Sequence, residues 1–165
     1  MEREKFYIST DKSLLDLNVI HGFLTRAYWS VGIAKDKVEN AIKHSLCFGV
    51  YQRSPAGDRQ VGFARVVTDF TVVAYLGDVF VLEEFRGRGL SRLLMDEIMR
   101  HPDLQGLRRW SLATRDAHGL YQKFGFTPLK NPDRMMEIHN PNVYSTPQGV
   151  GLPAPETPKG AGFAL

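Results

Sequence analysis

A glycine-rich turn between a predicted strand and a predicted helix constrains this chain most. The run VAYLGDVFVLEEFRGRGLSRLLMDEIM occupies residues 73–99. Its first part is rich in Val, Phe and Tyr, which favour a strand, and the spacing of apolar residues from Leu90 onward predicts a helix. Gly87 and Gly89 allow backbone N–H groups to point into one concave turn, and the helix N-terminus adds unpaired donors and the positive end of its dipole. The sequence therefore predicts a phosphate-binding turn.

Arginines surround the same turn, and its sequence differs from two common nucleotide-binding motifs. Arg86, Arg88 and Arg92 add positive charge near the glycines. The turn lacks the Gly-Lys-Ser/Thr ending of a P-loop, and Arg92 stands where a dinucleotide-binding motif would place its third glycine. A tight turn that requires glycine for its backbone alone is the alternative interpretation.

The rest of the chain predicts one mixed domain of strands and helices. An antiparallel meander fits the three apolar runs near the middle, which are separated by turn residues. The predicted strands are 6–9, 46–52, 60–68, 72–81, 108–114, 126–129 and 135–138. The predicted helices are 14–28, 35–44, 90–101 and 117–124. From residue 140 onward proline and glycine dominate, and residues 140–165 are predicted to be a tail outside the domain.

Two blocks in the right order resemble the core of the GNAT N-acetyltransferases. In FVLEEFRGRGLSRLLM, Arg86 and Gly89 match the family's pyrophosphate-loop pattern, and Ser91 stands where the family has Gly or Ala. In LATRDAHGLYQKFGFTPL, residues 112–129, an Ala precedes Tyr121 by four residues and a Gly-Phe follows, as in the family. Thr114 stands where the family often has Asn. The resemblance covers residues 60–129.

This resemblance implies a fold of the α/β class (α+β type). It implies a mixed, mostly antiparallel sheet of six or seven strands flanked by about four helices. The domain would span residues 1–139.

The resemblance also implies a reaction, in which acetyl-CoA is the co-substrate and a primary amine accepts the acetyl group. Tyr121 would protonate the departing CoA thiolate, or would only pack its helix. The backbone of Phe80 and Val81 would meet the acetyl group and the pantetheine arm. The implied cofactor-binding residues are Phe80, Val81, Arg86, Gly87, Arg88, Gly89, Leu90, Ser91, Thr114 and His118.

The sequence constrains less strongly which residues would bind the acceptor amine. Asp78 lies within an otherwise apolar strand, where an unpaired carboxylate is costly. It would take the proton of the amine, hold an ammonium group, or form a salt bridge with Arg65. His118 is either an alternative base or a surface residue. Tyr28 and Trp29 would form an acceptor wall or belong to the core.

The expected acceptor is a small-molecule amine rather than a protein, and composition argues against nucleic-acid and membrane partners. The net charge of +3 is too small to argue nucleic-acid binding, and no apolar run or signal-like segment argues a membrane role. A single cysteine, Cys47, and scattered histidines predict no metal site. A cytoplasmic location is the default expectation, and a homodimer is the commonest assembly. The competing hypothesis is a silent acyl-CoA-binding sensor or assembly module.

Overall fold

The computed structural model describes residues 5–145, in which one sheet carries helices on both faces. The strands are β1 (Phe6–Ser9), β2 (Leu46–Gln52), β3 (Arg59–Thr68), β4 (Val73–Val81) and β5 (Arg109–Leu112). The helices are α1 (Leu17–Leu24), α2 (Lys35–Lys43), α3 (Leu90–Arg100) and α4 (His118–Gln122). Of the predicted tail, residues 146–165 lie outside the described residues.

The sheet follows chain order, β1-β2-β3-β4-β5. The first four strands pair antiparallel, and β5 pairs parallel to β4 after the crossover through α3. The predicted class, a mixed and mostly antiparallel sheet with about four helices, is thereby confirmed for the described residues.

Each face of the sheet has its own core. Leu94, Met95 and Ile98 of α3 are fully buried in the larger cluster on one face. On the other face, Ile20 of α1 and Val38 of α2 pack against the smaller cluster. The apolar stripe of α3 recurs at three and four residues, so one side of this helix meets the sheet while its arginines remain in solvent.

The predicted count of six or seven strands is wrong for the described residues, which contain five. Segments 126–129 and 135–138 form no ladder with a neighbouring strand. Pro128 interrupts the first of these segments, because it lacks the N–H that a ladder requires.

The predicted first helix, residues 14–28, is also too long. The chain forms a single 3-10 turn at Lys12–Leu14, and α1 begins only after Asp16. The Asp16 side chain accepts hydrogen bonds from the N–H groups of Asn18 and Val19, which fixes the start of the helix.

Two irregularities in β4 open the sheet beside β5. Arg65 of β3 pairs with Gly77 and Phe63 pairs with Phe80, so two residues of β4 face a single residue of β3. This is a β-bulge, which bends its strand. Pairing between β4 and β5 ends at Leu76 and Leu112, although β4 continues to Val81. Beyond Leu76 the outer edge of β4 has no strand neighbour within residues 5–145.

Candidate active site

A cleft of about 700 Å³ lies where β4 and β5 part. The loop after α1 and one side of α2 form one wall, and the segment between β5 and α4 forms the other. The residues of the bulge form part of the lining. Side chains from all of these elements meet there, among them Tyr28, Trp29, Asp78, Thr114 and Tyr121.

Asp78 occupies the bulge in a strained backbone conformation. Its φ is 54°, in the left-handed region that most residues avoid but that Asp and Asn tolerate better. Its carboxylate accepts a hydrogen bond from Arg65 Nε at 2.7 Å and another from Trp29 Nε1 at 3.1 Å. Arg65 Nη1 in turn donates to Ser45 Oγ at 3.1 Å. These contacts link the bulge to β3 and to the loop after α1.

The aromatic wall joins the two sides of the cleft. The rings of Tyr28 and Trp29 meet edge to face at 5.0 Å. The hydroxyl of Tyr28 accepts a hydrogen bond from the Arg115 N–H at 3.1 Å, and the Arg115 guanidinium lies over the same ring at 4.0 Å. Tyr28 therefore connects the loop after α1 to the segment after β5.

Tyr121 projects from α4 into the lining and is 9% exposed. Burial, together with smaller contributions from the nearby Tyr28 and Asp116, raises the pKa of Tyr121 to about 12. Its hydroxyl makes no hydrogen bond to any residue within 5–145. The phenol is therefore protonated at neutral pH, and its hydroxyl is available to a ligand.

The glycine-rich turn follows β4 after a single 3-10 turn at Glu83–Phe85, and it leads into α3. Gly87 and Gly89 have φ angles of 74° and 78°, which explains why both positions are glycine. Gly89 is the N-cap of α3, and no side chain caps this end of the helix. Arg86 Nε donates a hydrogen bond to the carbonyl of Val81 at 3.2 Å, and Arg88 Nη2 donates one to the carbonyl of Glu84 at 3.1 Å. The turn thus offers uncapped N–H donors beside two guanidinium groups, which suits a diphosphate.

Comparison with known proteins agrees with this geometry. The family profile described as "Acetyltransferase (GNAT) domain" matches residues 43–128. The acetyltransferase FG08082 of Gibberella zeae is 31% identical over 140 residues, covering 73% of this chain and 78% of the relative.

The chain belongs to the GNAT superfamily of acetyltransferases.

Two further matches fit this GNAT membership. A crystal structure of a GNAT-family protein from Xanthomonas campestris pv. campestris has 55% identity and a TM-score of 0.80, covering 86% of this chain and 98% of that one. The N-acetyltransferase ycf52 of Porphyra purpurea is 33% identical over 109 residues, covering 63% of this chain and 62% of the relative.

The GNAT structure brings together only part of the residue set inferred from sequence. Tyr28, Trp29, Asp78, Thr114 and Tyr121 line the cleft. The Thr114 hydroxyl accepts a hydrogen bond from the Ala117 N–H at 3.0 Å, so this residue shapes the turn before α4.

Other members of the predicted set lie elsewhere. The side chains of Phe80, Val81 and Leu90 are buried in the core, so only their backbone groups could meet a ligand. Ser91 is half-buried in the first turn of α3. His118 is exposed and does not line the cleft.

Sequence reasoning missed several residues of the cleft wall, among them two tyrosines and an arginine. Tyr75 lies on β4 before the bulge, Arg115 lies after β5, and Tyr144 lies in the predicted tail. The sequence offers a signal only for Arg115, which falls inside the second GNAT block. Tyr144 reaches the cleft through tertiary packing that no local pattern indicates.

Metal-binding clusters and membrane-spanning helices are both absent from residues 5–145. Within 5–145, no group of three or more His, Cys, Asp and Glu side chains is placed to hold a metal ion. No helix in this part of the chain is long and apolar enough to cross a membrane.

The strained bulge predicts different effects for two substitutions of Asp78. Asp78→Asn keeps a side chain that tolerates left-handed backbone, whereas Asp78→Ala does not, and left-handed backbone costs an ordinary residue ~1–2 kcal/mol. We expect the Ala variant to unfold with a free energy about 1 kcal/mol below that of the Asn variant, measured by urea denaturation. Equal stabilities would show that the backbone of residue 78 is not under strain.

Proposed function

We propose that this chain moves an acetyl group from acetyl-CoA to the primary amine of a small molecule by direct attack. The observation that carries the proposal is the closeness of two features along the chain. Only the 3-10 turn at Glu83–Phe85 and the glycine-rich turn separate the outer edge of β4 from the uncapped N-terminus of α3. Acetyl-CoA has an extended pantetheine arm joined to a diphosphate, so its binding requires a strand edge close to an anion-binding turn.

The turn supports binding of the diphosphate. Backbone N–H groups at the start of α3 would donate to the phosphate oxygens, and Arg86 and Arg88 would neutralise their charge. A Cβ atom added at Gly87 or Gly89 would meet no other atom within 4 Å, so the turn is open on the side that a ligand would approach.

The free edge of β4 supports binding of the pantetheine arm. The amides of the arm could pair with backbone groups on the outer edge of β4 between Gly77 and Phe80, which face no neighbouring strand within residues 5–145. The bound molecule supplies an acetyl thioester, and the cleft residues act around its carbonyl carbon. This pairing would bring that carbon close to the bulge.

Asp78 would orient the acceptor amine. Each of its oxygens accepts one hydrogen bond and keeps a second acceptor direction, so the carboxylate can still receive an N–H from an amine. An amine must be neutral before it attacks, and Asp78 would receive its proton directly or through water. His118 is less suited to this role because it does not line the cleft.

Tyr121 would protonate the departing thiolate. Its raised pKa of about 12 keeps the phenol in its acid form, so the proton is present when the C–S bond breaks. The same burial disfavours a charged thiolate, and this offsets the weaker acidity of the phenol.

The size and lining of the cleft favour a small acceptor. Pockets for small ligands occupy ~300–1,000 Å³ and are mostly apolar with a few placed polar groups. The cleft, at about 700 Å³, falls in this range and carries an aromatic wall beside the Arg65–Asp78 ion pair. An amine with an apolar or aromatic body fits this lining.

A second candidate is a silent acyl-CoA-binding module. The observation that favours it is the engagement of Asp78 by both Arg65 and Trp29, which leaves the carboxylate less free for chemistry. Release of free thiol from acetyl-CoA, tested with polyamines, amino acids, aminoglycosides, arylamines and lysine peptides, separates the candidates. Release with one amine class supports the enzyme, and CoA binding without release for every class supports the module.

Arg88→Glu is expected to abolish CoA binding, because it reverses the charge beside the proposed diphosphate site. Isothermal titration calorimetry with CoA provides the measurement. Arg100→Glu is the matched control, since it makes the same charge change at the exposed far end of α3 and should leave binding intact. Unchanged affinity in Arg88→Glu would contradict the placement of CoA at this turn.

Tyr121→Phe is expected to lower kcat by roughly 100-fold, the lower range for loss of a general acid, with little change in CoA affinity. Tyr51→Phe is the control, because it removes the hydroxyl of another buried tyrosine, which lies outside the cleft lining. Turnover and calorimetry on the same preparations provide the two readouts. An unchanged kcat would remove Tyr121 from the mechanism.

A further inference from the structure

The lining of the cleft carries one more positive than negative side chain. Its charged members within residues 5–145 are Lys37, Arg65, Asp78, Arg115 and Asp116. Arg65 and Asp78 neutralise each other at 2.7 Å. Lys37, on α2, forms no ion pair with any residue within 5–145. An acceptor whose only charge is an ammonium group would therefore enter a cleft that already holds a surplus of positive charge.

Arg115 is fixed on the cleft wall although its side chain is 65% exposed. Its guanidinium lies over the ring of Tyr28 at 4.0 Å, and its backbone N–H donates a hydrogen bond to the Tyr28 hydroxyl at 3.1 Å. Contact at both ends restricts the side chain, so the guanidinium is oriented before a ligand arrives. Stacking on an aromatic ring also leaves the N–H groups at the edge of the guanidinium plane uncovered.

The side-chain donors of Arg115 make no hydrogen bond to any residue within 5–145. The carboxylate of Asp116 lies 3.8 Å away, which is too long for a hydrogen bond, and it is itself 69% exposed. An exposed pair at this distance contributes little to stability, so it does not prevent the guanidinium from binding another anion. A planar guanidinium binds carboxylate or phosphate through two parallel N–H···O hydrogen bonds.

Arg115 and Asp78 are held by neighbouring residues of the loop after α1. Tyr28 contacts the guanidinium, and Trp29 donates a hydrogen bond to the Asp78 carboxylate at 3.1 Å. The two aromatic rings meet edge to face at 5.0 Å. The cleft thus presents an acceptor group and an unused set of donors on one aromatic wall, within reach of one small molecule.

We propose that the acceptor is an amine that also carries an anionic group, and that Arg115 binds this group. The amine would approach Asp78, and a carboxylate or phosphate would accept the paired N–H donors of Arg115. Lys37 adds positive charge from the opposite wall without binding the group in a fixed geometry. The inference rests on the function proposed above, because it names the substrate class of the same cleft.

Calorimetry on the CoA-bound protein measures acceptor binding without acetyl transfer, because CoA carries no acetyl group. The probes are pairs of amines that differ in the anionic group alone: phenylalanine and phenethylamine, leucine and 3-methylbutylamine, and O-phosphoethanolamine and ethanolamine. The anionic member of at least one pair should bind roughly 10- to 100-fold more tightly, as expected for hydrogen bonds to a charged group. The first two pairs report on a carboxylate and the third on a phosphate. Equal affinity within every pair, or no binding by any anionic member, would overturn the proposal.

Arg115→Gln tests the residue itself, because glutamine has neither the charge nor the paired donors of the guanidinium. This variant should lose the preference for the anionic amine and keep its affinity for CoA. Arg53→Gln is the matched control, since it removes a guanidinium that also lies over a tyrosine ring, that of Tyr7 at 4.8 Å, outside the cleft lining. A preference that survives Arg115→Gln would contradict the assignment, and so would a loss of CoA affinity in this variant, which would place Arg115 on the cofactor.

Thiol release from acetyl-CoA separates this inference from the proposed function. With the preferred amine, Arg115→Gln should raise KM by roughly 10- to 100-fold and change kcat little, because the anionic group does not take part in the reaction. Anion-selective binding without thiol release for any amine would count against acetyl transfer and leave the recognition by Arg115 supported. Release with uncharged amines and no gain from an anionic group would overturn the inference and support the proposed function.

Discussion

The ion pair between Arg65 and Asp78 is the interaction on which the site depends. It holds a residue with φ 54° at the point where β4 bulges, and the indole of Trp29 adds a second donor to the same carboxylate. Left-handed backbone is unfavourable for an L-residue, so these contacts offset a local cost. The bulge bends β4 just past the end of its pairing with β5, and the cleft lies at that place.

In the proposed function, the same geometry would bring cofactor binding and acetyl transfer close together. The free edge of β4 leads from the bulge to the turn at Gly87 and Gly89, where α3 presents its uncapped N-terminus. The buried face of α3 anchors this turn against the sheet, so its donors are held before any ligand arrives. Preorganised donors of this kind bind anions without a further ordering cost.

Local chemistry explains what the sequence could predict. Three short-range features made these predictions possible. Glycines that need positive φ indicate the turn, and the apolar stripe indicates helix α3. The hairpin of β3 and β4 brings Arg65 near Asp78. The Tyr28–Arg115 contact joins residues 87 positions apart, and no local pattern encodes it. The bulge and the missing strands depend on register between distant segments, which a single sequence does not reveal.

Hydrogen–deuterium exchange with and without CoA tests the central claim most directly, because it reports on the backbone donors themselves. The account predicts slower exchange on CoA binding in two segments, residues 77–81 on the free edge of β4 and residues 87–92 at the turn. Slower exchange at the turn alone would contradict the binding of the pantetheine arm along the outer edge of β4. Binding of CoA with unchanged exchange in both segments would contradict the account.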